Sequence, residues 1–427
     1  MRAELPHMSR YTAVLLLGIF ILTAAADAFG QQTYTKRRQD AMIFLQQAET
    51  SMRGGNFNNA YDQYTAAVES DRNFAEAYMK RALLLQRMGR YDESMVDYNK
   101  AIELNPYSEV YYDQRAKLQI LQSDFKGAIV DLDKALKLSP YDNTMMEMRA
   151  IANLQSNEFA GALSDYDFMI EMNPKDTIAY LQRAITYSRM NDLEAALSDI
   201  ETAIELNPHS ELVYDVKGLV LMHFDQLGAA MDAFDRAIDL NPTFHIAYYN
   251  RSVVWKRLGE IQKSIEDLNI ALSLHQDFPN AHFNRAIANK MLGNDEESVR
   301  DYNKAVEVKS DFTDALYNRG LTKSMLGDYG SSLTDLDMAI EQDPTDPQLW
   351  NKRGNLRAFF GKYMEAIRDF NMALKLKQDY GEALFNRGVT RMMARDNIEG
   401  CRDLERALDL GYTRAEEQLR YFCAGIK

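Results

Sequence analysis

Arginine and aspartate recur along this chain at a fixed separation of sixteen residues. A guanidinium group can bind a carboxylate through two parallel hydrogen bonds and stays charged at every physiological pH, so this spacing is typical of a repeated ion pair. The pairs are Arg81–Asp97, Arg115–Asp131, Arg149–Asp165, Arg183–Asp199, Arg251–Asp267, Arg285–Asp301, Arg319–Asp335, Arg353–Asp369 and Arg387–Asp403.

Other residues that could do chemistry do not form recognisable motifs. The sequence contains no G-x-S-x-G, H-E-x-x-H or G-x-x-x-x-G-K-[ST] pattern. The histidines after residue 30 are scattered without metal-ligand spacing, at His209, His223, His245, His275 and His282. The sequence therefore predicts a protein that is not an enzyme and that holds no cofactor or metal.

The ion pairs belong to a 34-residue repeat that runs eleven times without insertion or deletion over residues 41–414. Position 8 is small in every repeat, and position 27 is alanine in ten of them. A strict period of this length is typical of a solenoid, in which each unit buries its apolar face against its neighbours. Repeats 1 to 11 begin at residues 41, 75, 109, 143, 177, 211, 245, 279, 313, 347 and 381.

Each repeat has the apolar spacing of two helices joined by a short turn. In residues 75–108, Tyr78, Ala82 and Leu85 share one face of a first helix. A turn at Gly89 precedes a second helix, which should end before Pro106. The small residues at positions 8 and 27 let the two helices approach closely. The fold class predicted is all-α, a right-handed α-solenoid (superhelix) of eleven helix–turn–helix units, forming one domain.

The chain resembles the tetratricopeptide repeat family over residues 41–414. The resemblance rests on an aromatic residue at position 4, a small residue at 8, Phe or Tyr at 17, alanine at 20 and 27, and proline at 32. The prolines are Pro106, Pro140, Pro174, Pro208, Pro242 and Pro344. Departures occur at Asp295 and Asn397, which replace the aromatic residue at position 17 and predict looser turns.

The family most often has leucine at position 7, where this chain has arginine in nine repeats. The two remaining repeats lose both partners together, as Gln47 with Gln63 and Lys217 with Ala233. This joint loss favours a pair within each repeat over a pair between repeats. We interpret the pairs as a structural clasp, and the alternative is a charged ladder that binds a ligand. If the pair is buried, Arg319→Ala should cost roughly 3–5 kcal/mol.

The two cysteines lie near the end of the sequence. Cys401 occupies position 21 of repeat 11, and a last helix is expected within residues 413–427 with Ala415, Leu419 and Phe422 on one face. Such a helix would cap the final apolar surface. In an oxidising compartment a Cys401–Cys423 disulfide would hold the cap, and the alternative is two reduced thiols.

The first thirty residues have the pattern of a signal peptide, with a short apolar run over residues 13–22 followed by small residues. We expect cleavage after Gly30, a linker over residues 31–40, and a periplasmic or secreted protein without a membrane span after cleavage. The alternative is an uncleaved N-terminal anchor. The formal charge of −14 argues against nucleic acid as a partner.

The resemblance also implies a groove lined by the first helices at positions 2, 5, 9, 12 and 13. Here these positions are rich in branched, aromatic and methionine side chains, which suits an amphipathic helix or an apolar peptide. The alternative is that superhelical curvature already covers this surface. The groove residues predicted are Leu219, Tyr249, Val253, Lys256, Phe283, Ile287, Lys290, Tyr317, Leu321, Phe385 and Val389.

Within this set, Tyr249, Phe283 and Tyr317 all occupy position 5, where other repeats have Met79 or Asp113. That tolerance predicts that folding does not require the three aromatic rings. The predicted function is a non-catalytic scaffold or adaptor of the cell envelope that binds a protein or peptide, and an envelope assembly is the expected setting. The alternative is a carrier of a glycan or lipid in the same groove.

Overall fold

The 34-residue period produces one helical hairpin per repeat in the computed structural model, which describes residues 35–423. In repeat 2, helix Ala75–Arg87 and helix Tyr91–Leu104 are joined by Gly89, whose φ is 76°. A left-handed backbone at this position suits glycine, asparagine or aspartate, because other side chains are strained there. Repeat 11 has Arg395 instead, with a φ of 64°.

All of the regular structure described within residues 35–423 is helical. First helices cover 13 residues and second helices 13 or 14 in the repeats that follow α2. The helices are α1 (residues 35–53), α2 (Phe57–Ser70), α3 (Ala75–Arg87), α4 (Tyr91–Leu104), α5 (Glu109–Leu121), α6 (Phe125–Leu138), α7 (Asn143–Gln155), α8 (Phe159–Met172), α9 (Thr177–Arg189), α10 (Leu193–Leu206), α11 (Glu211–His223), α12 (Leu227–Leu240), α13 (His245–Arg257), α14 (Ile261–Leu274), α15 (Pro279–Met291), α16 (Asp295–Val308), α17 (Thr313–Met325), α18 (Tyr329–Gln342), α19 (Pro347–Phe359), α20 (Tyr363–Leu376), α21 (Gly381–Met393), α22 (Asn397–Asp409) and α23 (Arg414–Phe422).

The core of each hairpin lies between position 8 of the first helix and position 24 of the second. Ala82 and Tyr98 are both fully buried there in repeat 2. Where position 24 is phenylalanine, position 8 is glycine, because a Cβ atom on Gly218 would lie 2.5 Å from the Phe234 ring. The pair Gly354 and Phe370 repeats this close approach. The small residue at position 8 is therefore a packing requirement.

The chain divides into two compact units, with the boundary between Thr202 and Ala203. We call the part before this boundary unit 1 and the part after it unit 2. The sequence predicted a single domain, since the 34-residue period continues without change through residues 202 and 203. All eleven predicted groove residues belong to unit 2.

The ends of the repeat array differ in detail from the sequence-based boundaries. The signal peptide predicted for residues 1–30 and the beginning of the linker lie outside the described residues. The described part of that linker, residues 35–40, is helical and forms the beginning of α1. Arg38 lies 2.7 Å from Asp71 and stacks on the Phe74 ring, which ties this segment to the first repeats.

At the other end, the capping helix α23 covers Arg414–Phe422, and residues 424–427 are outside the described range. Ala415 of α23 is fully buried in a cluster with Leu384 and Leu404. Of the helices between residues 35 and 423, none combines the length and the apolar character needed to cross a membrane.

Candidate functional site

Each predicted arginine lies against its predicted aspartate within the same repeat. The Nε atom donates to Oδ2 at 2.6–3.1 Å and the Nη2 atom donates to Oδ1 at 2.5–2.7 Å, so the bond is bidentate in all nine repeats. The aspartate side chains are 3–8% exposed and the arginine side chains 11–26%. The carboxylates are thus buried and the guanidinium groups reach the surface on one side.

The third nitrogen of each arginine makes a bond that the sequence reasoning missed. The Nη1 atom donates to position 25 of the preceding repeat at 2.6–3.2 Å. Each arginine therefore joins two repeats as well as the two helices of its own. The acceptors are Thr65, Asn99, Asp133, Asp167, Asp235, Asn269, Asn303, Asp337 and Asn371, a polar period that the sequence does contain.

In the last three repeats a second cation binds the same buried aspartate. Lys323 lies 2.9 Å from Asp335, and Arg357 lies 2.8 Å from Asp369. Arg391 is placed in the same way, 2.7 Å from Asp403. These cations all occupy position 11 of their repeats. Ion pairs within the fold therefore neutralise the charges of the clasp, and we interpret these residues as structural.

The eleven predicted groove residues lie on the first helices of unit 2 and are all partly exposed. These side chains are neither buried nor fully exposed, so a partner could reach part of each one. Three polar bonds link position 5 of one first helix to position 6 of the next. Asn250 donates to Asp215, Asn284 donates to the Tyr249 hydroxyl, and Asn386 donates to Asn351, at 2.9–3.0 Å.

The aromatic residues at position 5 do more for packing than the sequence predicted. Tyr249 packs on Phe278 with ring centroids 4.8 Å apart, and Phe283 packs on Phe312 at 4.9 Å. Tyr317 belongs to the inter-repeat cluster around Leu349. Burial raises the pKa of the Tyr249 hydroxyl, in keeping with this packing. The rings therefore fill space between successive repeats, and the expectation that folding does not require them is not supported by their contacts.

A cavity of about 410 Å³ opens on the surface of unit 2 between α17 and α19, with α18 contributing to its lining. Leu321 and Leu356 contribute apolar surface from the two helices, and Met325 and Phe359 stand at its mouth. Lys352 and Asn355 add polar groups, although Lys352 is already paired with Glu382 at 2.9 Å. The ring centroids of Phe359 and Tyr329 lie 5.2 Å apart, and this packing supports one wall of the cavity. An apolar lining with a few polar groups is typical of a ligand-binding pocket.

Asp215 lies on the first helix α11, and the pKa of its carboxyl group is well above the ordinary value. It occupies position 5 of repeat 6, is 3% exposed, and accepts a hydrogen bond from Asn250 at 2.9 Å. Burial raises the pKa of Asp215 to about 6, and the bond from Asn250 offsets part of that effect. This carboxyl group therefore titrates in a mildly acidic range.

The two cysteines, Cys401 of α22 and Cys423 after α23, form a disulfide. The disulfide ties the C-terminal end of the capping helix to α22. The N-terminal end of the capping helix is held by Ala415, which packs against repeat 11. Within residues 35–423, His, Cys, Asp and Glu side chains do not gather in groups of three or more that would hold a metal ion.

Comparison with known proteins supports the repeat assignment. Tetratricopeptide repeat models match residues 75–108, 148–220 and 336–368, and a model described as anaphase-promoting complex subunit 5 matches residues 219–317. The search of curated proteins gives no match.

The solved structures similar to this chain include the following three. Yeast Tom70 is 16% identical, with 88% of this chain and 93% of that chain covered and a TM-score of 0.43. The Cut9–Hcn1 hetero-tetramer of the APC/C gives 12% identity, 93% and 94% coverage, and a TM-score of 0.46. YrrB, described as a TPR protein with an unusual peptide-binding site, gives 23% identity, 43% and 95% coverage, and a TM-score of 0.36.

Proposed function

Because this chain is a tetratricopeptide repeat protein, we propose that it is a non-catalytic scaffold of the cell envelope that holds a peptide or helix of a partner protein in the groove of unit 2. The arginine and aspartate side chains of the clasp are bonded to one another, which favours a structural role for these charges over a catalytic one. The first helices of unit 2 carry branched and aromatic side chains that are partly exposed. Binding is the activity that such a surface supports best.

The observation that carries this proposal is the apolar cavity between α17 and α19. Its volume of about 410 Å³ suits one or two large side chains of a bound segment. Pockets of this kind commonly take the anchor residues of a partner, whose truncation costs about 2 kcal/mol or more in binding. Leu321, which the sequence placed in the groove, lines this cavity.

The envelope location is part of the same proposal. It is supported by the signal-peptide pattern of residues 1–30 and by the Cys401–Cys423 disulfide, since disulfides persist mainly outside the cytoplasm. A disulfide at the end of the array would hold the capping helix where reducing systems are absent.

Site-specific photo-crosslinking tests the binding surface. A benzoylphenylalanine residue replaces Asn355 at the cavity, and a matched control replaces Arg368, which is exposed on the second helix α20. The chain carrying each probe is irradiated in an envelope fraction of the source cells, and the adducts are identified by mass spectrometry.

We expect a protein adduct at Asn355 that is absent at Arg368. Equal labelling at both positions, or no labelling at Asn355, would contradict a binding role for the cavity. A glycan or lipid adduct at Asn355 would contradict the scaffold and favour the carrier of a non-protein ligand.

A further inference from the structure

Position 13, at the end of each first helix, changes chemistry along the chain. It is arginine in four earlier repeats, at Arg53, Arg87, Arg189 and Arg257. In the last four repeats it is Met291, Met325, Phe359 and Met393, which we call the apolar strip. These side chains are 58, 66, 69 and 54% exposed. Packing within the fold does not require apolar residues that are more than half exposed, so the strip is surface available to a partner.

The apolar strip is continuous with the cavity between α17 and α19. Met325 and Phe359 stand at the cavity mouth while Leu321, Leu336 and Leu356 line its interior. Methionine adapts its shape to a bound side chain, and an exposed phenylalanine supplies a large contact area. An apolar side chain that enters the cavity would therefore also cover part of the strip.

A basic cluster lies at the ends of α13 and α15, beside Met291 of the strip. Lys256 and Arg257 end α13, and Lys290 precedes Met291 at the end of α15. Among residues 35–423, the side chains of Lys256 and Lys290 form no ion pair or hydrogen bond. Arg257 donates to the backbone carbonyl of Met222 at 3.0 Å and does not bind a carboxylate. These cations lack acidic partners in a chain whose net charge is −14.

We propose that the groove of unit 2 binds a protein segment with acidic residues at one end and large apolar residues at the other. This inference rests on the proposed function and specifies the partner. The acidic end lies against Lys256, Arg257 and Lys290, and the apolar end lies along the strip with one side chain in the cavity. Charge complementarity fixes the order of the two ends on the groove.

The dimensions of unit 2 set the length of the segment. The basic cluster and the strip extend over five consecutive first helices, α13 to α21, which makes four helix-to-helix steps. At typical packing distances these steps cover roughly 32–40 Å. An extended chain of about 10–12 residues spans that length.

A membrane surface would also offer anionic and apolar groups, but the inner turns of unit 2 argue against it. Glu260, Asp328 and Asp396 are exposed at those turns, within a few residues of the strip or the cluster. A negatively charged bilayer would repel them. A single extended segment within the groove can avoid these carboxylates while still contacting the cations and the strip.

Selection from a random dodecapeptide library displayed on phage tests the proposal with the full chain as bait. We expect the enriched peptides to combine two or more Asp or Glu residues at one end with Phe, Leu or Met at the other. The most enriched peptide is then labelled with fluorescein, and its Kd is measured by anisotropy over a range of NaCl concentrations.

Two groove variants and two matched controls separate the two halves of the surface. The charge variant is Lys256→Glu with Lys290→Glu, and its control is Arg368→Glu on α20. The apolar variant is Met325→Ser with Phe359→Ser, and its control is Met364→Ser, whose side chain is also 66% exposed. Circular dichroism and the Tm establish that each variant is folded.

We expect the charge variant to weaken binding at least about tenfold and to remove most of its salt dependence. The apolar variant should weaken binding by a similar factor at every salt concentration, and both controls should bind as the parent does. Enriched peptides without acidic residues, or a Kd unchanged in both groove variants, would overturn the inference. Binding of phosphatidylglycerol vesicles in place of the peptides would overturn it as well.

The outcomes distinguish this inference from the proposed function. The selection could enrich peptides of another chemistry whose binding is lost in the apolar variant. That result would overturn the inference of an acidic and apolar partner segment, but it would agree with peptide binding in the groove. A selection that enriches no binding peptide would contradict both.

Discussion

Arg353 and Asp337 belong to different repeats, and the Nη1 atom of the arginine donates to Oδ1 of the aspartate at 2.6 Å. The same arginine holds Asp369 of its own repeat through Nε and Nη2. One side chain thus connects three helices, because Asp337 lies on α18, Arg353 on α19 and Asp369 on α20. The clasp fixes the hairpin and also its position on the preceding hairpin.

The cost of removing an arginine should depend on whether its aspartate keeps a second cation. Arg251→Ala leaves the buried Asp267 without an ion partner, and we expect a loss of about 3–5 kcal/mol in the free energy of unfolding. Arg319→Ala should cost clearly less, because Asp335 retains Lys323 at 2.9 Å. Urea titration followed by circular dichroism measures both. Equal losses in the two variants would show that Lys323 does not compensate.

Asn303→Ala serves as the control for the bond between repeats. It removes only the exposed acceptor of Arg319 Nη1 and leaves the buried pair in place. A small loss, within about 1 kcal/mol, is expected for an exposed contact of this kind.

Asp215→Asn should stabilise the protein at neutral pH. The pKa of Asp215 is raised from 3.8 to about 6 in the folded state, so the charged carboxylate is disfavoured by folding. Stability therefore falls as the pH rises from about 4 to about 6. At pH 7 the substitution should recover up to about 3 kcal/mol, and at pH 3.5 almost nothing. Urea titrations at the two pH values measure the difference, and a gain that is independent of pH would contradict the assignment.

Replacement of Tyr249, Phe283 and Tyr317 by serine should lower the Tm. Each ring fills space between repeats, and losing a partly buried aromatic side chain costs about 1–3 kcal/mol. Phe283→Leu keeps most of the apolar contact and should change the Tm much less. Thermal denaturation of the triple variant is the measurement. An unchanged Tm would restore the sequence-based interpretation that these rings serve binding alone.

Arg395→Gly should stabilise repeat 11. The φ of Arg395 is 64°, a left-handed conformation that costs an L-residue about 1–2 kcal/mol and glycine almost nothing. Glycine is also more flexible in the unfolded chain, which offsets part of this gain. The net increase in the free energy of unfolding should be about 0.5–1 kcal/mol. The opposite change, Gly361→Ala at a φ of 73°, should destabilise by a similar amount. Denaturant titration of both variants checks the pair, and a loss in Arg395→Gly would contradict strain at this turn.

Export should leave a chain that begins at Gln31. The apolar run over residues 13–22 is short and is followed by small residues, the pattern that signal peptidases cleave. The intact mass of the protein purified from its own cells measures the new terminus. Retention of the leader would favour the uncleaved anchor, and recovery of the chain in the cytoplasm would contradict the envelope proposal.

The helical hairpins could be predicted from the sequence because small and apolar residues recur at the same repeat positions every 34 residues. Ala82 and Tyr98 meet as the pattern requires, and the ion pair between positions 7 and 23 follows from the same period. The boundary between Thr202 and Ala203 leaves no mark on the 34-residue period, so the sequence does not indicate it.

The groove was harder to predict than the helices. Leu321 was predicted as a groove residue and lines the cavity, whereas Phe359, which also lines it, was not predicted, because the resemblance to a family ranks positions and does not measure exposure. The packing of Tyr249 on Phe278 depends on the distance between a helix and the loop that follows it in space. That distance is set by the tilt between repeats, which a single sequence does not specify.

The bond between Arg353 and Asp337 also bears on how an array of this kind changes length. Each of the nine clasp arginines meets a polar acceptor at the same position of the preceding repeat, so the junctions within repeats 7 to 11 are chemically alike. Duplication or loss of a 34-residue block within repeats 7 to 11 would join matching ends and keep each clasp arginine between its two acceptors. The clasp therefore makes these repeats interchangeable as genetic modules, and recombination can lengthen or shorten this part of the array while its junctions stay compatible.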